Sequence, residues 1–225
     1  MSLSKKINVK KMTVMSILCA LAFICVLLFR FEVGGFLTFD IKDAVLAIAS
    51  FIYGPLAGVV CSGLVAFLEF ILISDTGPYG LIMNFLSSAT FSMVIGIIYK
   101  HKRTMSGAVI GVISAVFGMT AVMLLANMFI TPLFLGMERQ AVMGMIVPTL
   151  LPFNVIKAVF NGALVLIIYK PVSQTLKKAK LINVGASTGY KFGFKSVLLL
   201  VISLIVLVAA ILYLVLKMGG GVDFF

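Results

Sequence analysis

Between Met12 and Tyr169 the chain is a succession of apolar runs broken only by short turns carrying glycine, proline or charge. A run of about 20 apolar residues matches the thickness of a bilayer's hydrocarbon core. In lipid a backbone must satisfy its own hydrogen bonds, so runs of this length form helices. Hydrophobic residues make up 62% of the chain and charged ones 11%, with a mean hydropathy of +1.24. These values exclude a soluble globular domain and define a polytopic membrane protein.

The breaks place the helices. The first run is Met12 to Arg30, followed by a loop, FEVGGFLTFD, with a Gly-Gly turn. A short second helix spans Ile41 to Tyr53 and ends at Gly54-Pro55. The third spans Leu56 to Ser74 and stops at DTGPYG, a segment rich in helix breakers. The fourth covers Leu81 to Tyr99. The fifth covers Ser106 to Ile130, where Thr131-Pro132 is expected to stop it. A loop with Glu138 and Arg139 leads to the sixth, from Pro152 to Lys170-Pro171. The start, MSLSKKINVKK, resembles a signal peptide but lacks a convincing cleavage site, so the first run is expected to be retained.

Charge orients this layout. Lys5, Lys6, Lys10 and Lys11 precede the first helix, Lys100, Lys102 and Arg103 follow the fourth, and Lys170, Lys177, Lys178 and Lys180 follow the sixth. Six spans put all three clusters on one face, with no acid among them. Arg30, Glu32, Asp40, Lys42, Asp43, Asp75, Glu138 and Arg139 fall on the other. The positive-inside rule then puts the N-terminus in the cytoplasm of a multi-pass cell-membrane protein. The net charge of +11 is thus a topology signal, and no nucleic-acid partner is expected.

A further apolar run, Ser196 to Leu216, is long enough for a seventh helix. The expected organisation is a six-helix membrane domain over 1–180, a linker over 181–193, and the extra helix and tail over 194–225. The fold class is all-α, with no convincing internal repeat.

Lys157 sits where an ammonium is costly, inside the apolar run PFNVIKAVFNGALVLIIY. Asn154, three residues before it, and Asn161, four after, share its helix face. Glu69 in the third helix, Asn84 in the fourth and Asn127 in the fifth fall in the same outer half of the membrane. Four helices thus offer polar groups at a common depth. Two readings stand: a binding site for a small polar molecule, or amides and charges that join neighbouring helices. Ser16 and Ala20, one turn apart on the inner half of the first helix, form a small-residue patch where another helix can approach closely. Cys19, Cys25 and Cys61 fit no metal or redox spacing and read as packing residues. No metal-ligand set, nucleophile motif or nucleotide-binding P-loop is visible, so an enzyme is not expected and any energy must come from a partner or a gradient.

Several stretches, in order, resemble the substrate-binding S components of energy-coupling factor (ECF) transporters, specifically the riboflavin type. They are LTFDIKD, YGPLAGVV, GPYGLIMNFL, YKHKRT, NMFITPLFLGM and PFNVIKA. Pro-Phe-Asn-x-x-Lys opening the last core helix is the most specific of them. The extra C-terminal run departs from the six-helix pattern. So do Val65 and Glu69, where Lys-like and Asn-like residues are expected. The resemblance implies a six-helix bundle that binds riboflavin from outside and associates with a membrane coupling protein and two ATPase subunits. It implies that Asn127, Asn154 and Lys157 contact the vitamin, that Thr38 and Asp40 lie in a loop closing over it, and that Ser16 and Ala20 dock the coupling protein. Riboflavin would be cargo, and no resident cofactor is implied.

The residues suit such a ligand. A flat neutral ring system calls for apolar walls and a few placed polar groups, and the chain has 19 Phe and no Trp. Asparagine amides match both donor and acceptor edges of the ring. No arginine clamp for a phosphate is evident, which argues against flavin mononucleotide. An S component for another vitamin or a purine-like compound, and a stand-alone proton-coupled carrier, remain alternatives.

Overall fold

The computed structural model describes residues 9–33 and 35–178, together with residues 201, 202, 205, 208 and 209. Seven helices and a small hairpin make a single bundle: α1 (Val9–Phe29), β1 (Phe31–Val33), β2 (Leu37–Phe39), α2 (Lys42–Tyr53), α3 (Pro55–Leu72), α4 (Gly77–His101), α5 (Met105–Leu135), α6 (Arg139–Met145) and α7 (Leu151–Lys178). A π-helical turn, Ile146–Leu150, joins α6 to α7. Among the described residues, five stretches are long and apolar enough to cross a membrane, counting Arg139–Ile168 as one. Together with α2 they form the expected six-helix membrane bundle.

α2 is the exception in length and the centre of the fold. At 12 residues it is about 18 Å long, short of a full span. Every residue from Lys42 to Phe51 is buried, and α2 packs against α1, α3, α4 and α7. A helix apolar on all sides belongs inside a bundle, and the sequence AVLAIASF is apolar on all sides. Gly54, at φ +93°, then reverses the chain, and Pro55 opens α3 without losing a needed donor. The helices cross closely at this corner. A Cβ on Gly58 would overlap Ser50 Oγ and lie 2.9 Å from Ser92 Cβ, and one on Gly96 would lie 2.9 Å from Ser50 Cβ.

Four departures from the sequence reading concern chain breaks. The loop after α1 is an antiparallel hairpin pairing Phe31 with Phe39, Glu32 with Thr38 and Val33 with Leu37. Its Val33, Leu37 and Phe39 are buried and pack with Phe153 and Phe160 of α7. Alternation over so few residues is too short a signal to read as strand. α5 does not stop at Thr131-Pro132 but runs to Leu135, where Gly136 caps it in the left-handed conformation at φ +63°. One proline near a helix end removes a single hydrogen bond, which packing can absorb. Likewise α7 continues through Pro171 to Lys178, and the expected loop after Arg139 is α6 and the π turn containing Pro148.

The two ends of the bundle differ. Phe51 of α2 lies against Tyr99 of α4, with ring centroids 4.2 Å apart, and Lys11 of α1 stands over the Tyr53 ring. The basic residues flanking α1 and α4 therefore share one end. At the other, Arg30 pairs with Asp75 at 3.2 Å and ties α1 to the α3–α4 turn. On α1, Ser16 and Ala20 are exposed whereas Cys19 and Ala22 are buried. The expected linker lies outside the described residues. Of the expected seventh helix, Val201, Ile202, Ile205, Val208 and Ala209 are described, and they are helical and exposed.

Candidate functional site

The hairpin end of the bundle holds a cavity with about 580 Å³ of empty space, its mouth included. Thr38 of β2, Asn84 of α4, Asn127 of α5 and Asn154 of α7 line it, between aromatic walls that include Tyr79 and Phe153. Four of the polar residues singled out in the sequence thus meet around one space. Asn84 is not at the start of its helix, as the sequence implied, but two turns in, because α4 begins at Gly77.

Two of the three amides are oriented by the carbonyl four residues earlier in the chain. Asn127 Nδ2 donates to Met123 O at 2.7 Å, and Thr131 Oγ1 donates to Asn127 Oδ1 at 2.8 Å. Asn154 Nδ2 donates to Leu150 O at 2.8 Å, while its buried Oδ1 has no hydrogen-bond partner among the described residues. A buried acceptor without a partner costs about 1–3 kcal/mol, and this one belongs to a side chain that lines the cavity.

The remaining site residues, Asp40, Glu69 and Lys157, do not line the cavity. They lie beside it in a buried chain of charges. Lys157 Nζ donates to Asp40 Oδ2 at 2.9 Å and to Thr38 O at 3.0 Å. Lys42 Nζ donates to the same Asp40 Oδ2 at 3.1 Å and lies 2.9 Å from both Glu69 carboxylate oxygens. Glu69 Oε2 in turn accepts from Asn84 Nδ2 at 2.9 Å. The chain therefore runs Lys157–Asp40–Lys42–Glu69–Asn84, from α7 through the hairpin exit and α2 to α3 and the cavity wall on α4. Burial alone would raise the Asp40 carboxyl, but Lys157 and Lys42 outweigh it and hold it below the usual carboxylate range.

The Lys157 ammonium ties the end of the hairpin to α7. Glu69 and Lys157 are joined through Lys42 and Asp40, which stand between them. Asn161, which shares the polar face of α7, accepts from Ala44 N at 3.0 Å and donates to Asp40 O at 3.0 Å, so it seats the first turn of α2.

Sequence reasoning missed Lys42 and Asp43, assigning both to the outer surface. They are buried, and Ser88 Oγ donates to Asp43 Oδ1. The signal was the length of α2. A helix too short to span begins inside the bundle, and so must any charge in its first turn.

The chain from residue 10 to 169 matches the family described as "ECF transporter, substrate-specific component". It is 30% identical over 186 residues to the riboflavin transporter RibU of Staphylococcus aureus (strain TCH60), covering 77% of this chain and 97% of that protein. It is 29% identical over 164 residues to the riboflavin transporter FmnP of Bacillus subtilis (strain 168), covering 68% and 86% respectively. A solved structure described as the S component of a bacterial ECF transporter superposes with a TM-score of 0.66 at 29% identity, covering 76% of this chain and 99% of that one.

Proposed function

The chain belongs to the substrate-specific components of ECF transporters, and on that premise we propose that it binds riboflavin from the outer side of the cell membrane and carries it inward with an ATP-hydrolysing partner. The observation that carries the reading is the cavity at the hairpin end, walled by aromatic side chains and edged by the amides of Asn84, Asn127 and Asn154. Its aromatic walls and few polar groups suit a flat, neutral, polyol-bearing ligand. The two relatives named as riboflavin transporters support the choice of vitamin.

The basic residues Lys10, Lys11, Lys100, Lys102, Arg103 and Lys178 support a reading in which the opposite end of the bundle faces the cytoplasm. The partner is a membrane coupling protein with two ATPase subunits, docked on the exposed Ser16–Ala20 face of α1. No step of the transport requires this chain to be an enzyme.

Titration of the purified protein with riboflavin, read as quenching of flavin fluorescence, tests the ligand. Saturation at about one molecule per chain is expected. Tight binding of another vitamin with no response to riboflavin would overturn the assignment. Uptake of labelled riboflavin by cells with and without the ATPase module tests the energy source; uptake that survives removal of the module would point to a stand-alone carrier.

A further inference from the structure

Glu69 is buried, yet it neither lines the cavity nor pairs with a surface charge. Both of its oxygens lie 2.9 Å from Lys42 Nζ, an ion-pair geometry, and a carboxylate in an ion pair can only accept hydrogen bonds. Facing such a group, the amide of Asn84 must present its NH2, and the structure has Nδ2 donating to Glu69 Oε2 at 2.9 Å. The carbonyl oxygen of Asn84 is thereby left without a hydrogen bond among the described residues, on a side chain that lines the cavity. Asn154 repeats the pattern independently: its NH2 is tied to Leu150 O, and its oxygen is buried without a partner among the described residues.

We propose that Glu69, held by Lys42, is a positioning residue that turns the Asn84 carbonyl oxygen toward the cavity, so that this wall selects ligands presenting an N–H or O–H donor. The proposal rests on the riboflavin reading, and riboflavin has two kinds of donor, the ring imide N–H and the ribityl hydroxyls. Selection arises because a ligand lacking the donor leaves a desolvated acceptor unsatisfied. Glutamine at position 69 removes the constraint, since its amide both donates and accepts and no longer dictates which end of Asn84 faces inward.

The experiment is a double-mutant cycle on the full chain in detergent, comparing wild type, Glu69→Gln, Asn84→Ala and the double variant. Binding is measured for riboflavin, for 3-methylriboflavin, which lacks the imide N–H, and for lumiflavin, which lacks the ribityl hydroxyls. Wild type should bind at least one analogue roughly tenfold more weakly than riboflavin. Which analogue suffers identifies the donor. Asn84→Ala should erase that penalty, Glu69→Gln should reduce it, and Glu69→Gln should add no further loss of riboflavin affinity in the Asn84→Ala background. Additive losses, or a penalty that persists in Asn84→Ala, would overturn the proposal while leaving riboflavin binding in place. If wild type binds no flavin, the functional reading fails and takes this inference with it. Should Glu69→Gln not fold, a penalty that persists in Asn84→Ala still overturns the proposal, because that half-buried side chain can be truncated without opening the core.

Discussion

At the scale of single residues, the site divides into groups that line the cavity and groups that hold those in place. Asn154 offers an unpartnered oxygen, whereas both ends of the Asn127 amide are engaged within its own helix. Asn154→Ala should therefore weaken riboflavin binding by roughly 5- to 150-fold, the range for about 1–3 kcal/mol, and Asn127→Ala by less; isothermal titration of both variants checks the order. Lys157→Ala should act on the fold as well as on binding. Breaking a buried ion pair costs about 3–5 kcal/mol, and the lower end applies because Lys42 still pairs with Asp40. Thermal unfolding in detergent should report the loss, and affinity should fall with it as the Thr38 end of the hairpin loses its anchor. The residues at these positions were legible in the sequence because polar groups in apolar runs stand out. Their division of labour was not, because a side chain's partner depends on packing between helices far apart in the chain. Thr38 and Lys157 are the plainest example.

At the scale of elements, hydropathy located each long helix, and the short apolar run after Ile41 located α2. The breaks were harder to read. Pro132 and Pro171 looked like stops and lie inside helices, since proline forbids one hydrogen bond locally while tertiary packing sets where a helix ends. The hairpin was read as a loop because its strands are only three residues long and are stabilised by α7. The α2–α3–α4 crossing depends on small residues, and Gly58 is its tightest point. Gly58→Ala should destabilise the protein by about 1–3 kcal/mol through overpacking against Ser50. Adding Ser50→Gly should recover part of the loss. Melting temperatures of the single and double variants test this coupling, and equal melting of Gly58→Ala and wild type would mean that the corner is looser than described.

At the scale of the whole molecule, the sequence foretold two dissimilar ends, and the structure gathers cavity and charge chain at one while leaving α1 with an exposed small-residue face. Binding and transport should therefore be separable. Ala20→Leu places bulk where a partner helix must approach closely, so it should abolish uptake in cells while leaving riboflavin affinity of the isolated protein near normal. A parallel fall in both would make Ala20 an internal packing residue. The hairpin carries a last consequence. A ribbon of two three-residue strands does not persist alone; here Phe39 grips α7 and Lys157 holds the Thr38 carbonyl. On the proposed function, how long a captured molecule dwells should follow how often such contacts let go together. Phe39→Ala should then lengthen nothing and shorten that dwell, raising the dissociation rate in stopped-flow measurements far more than it changes the rate of arrival.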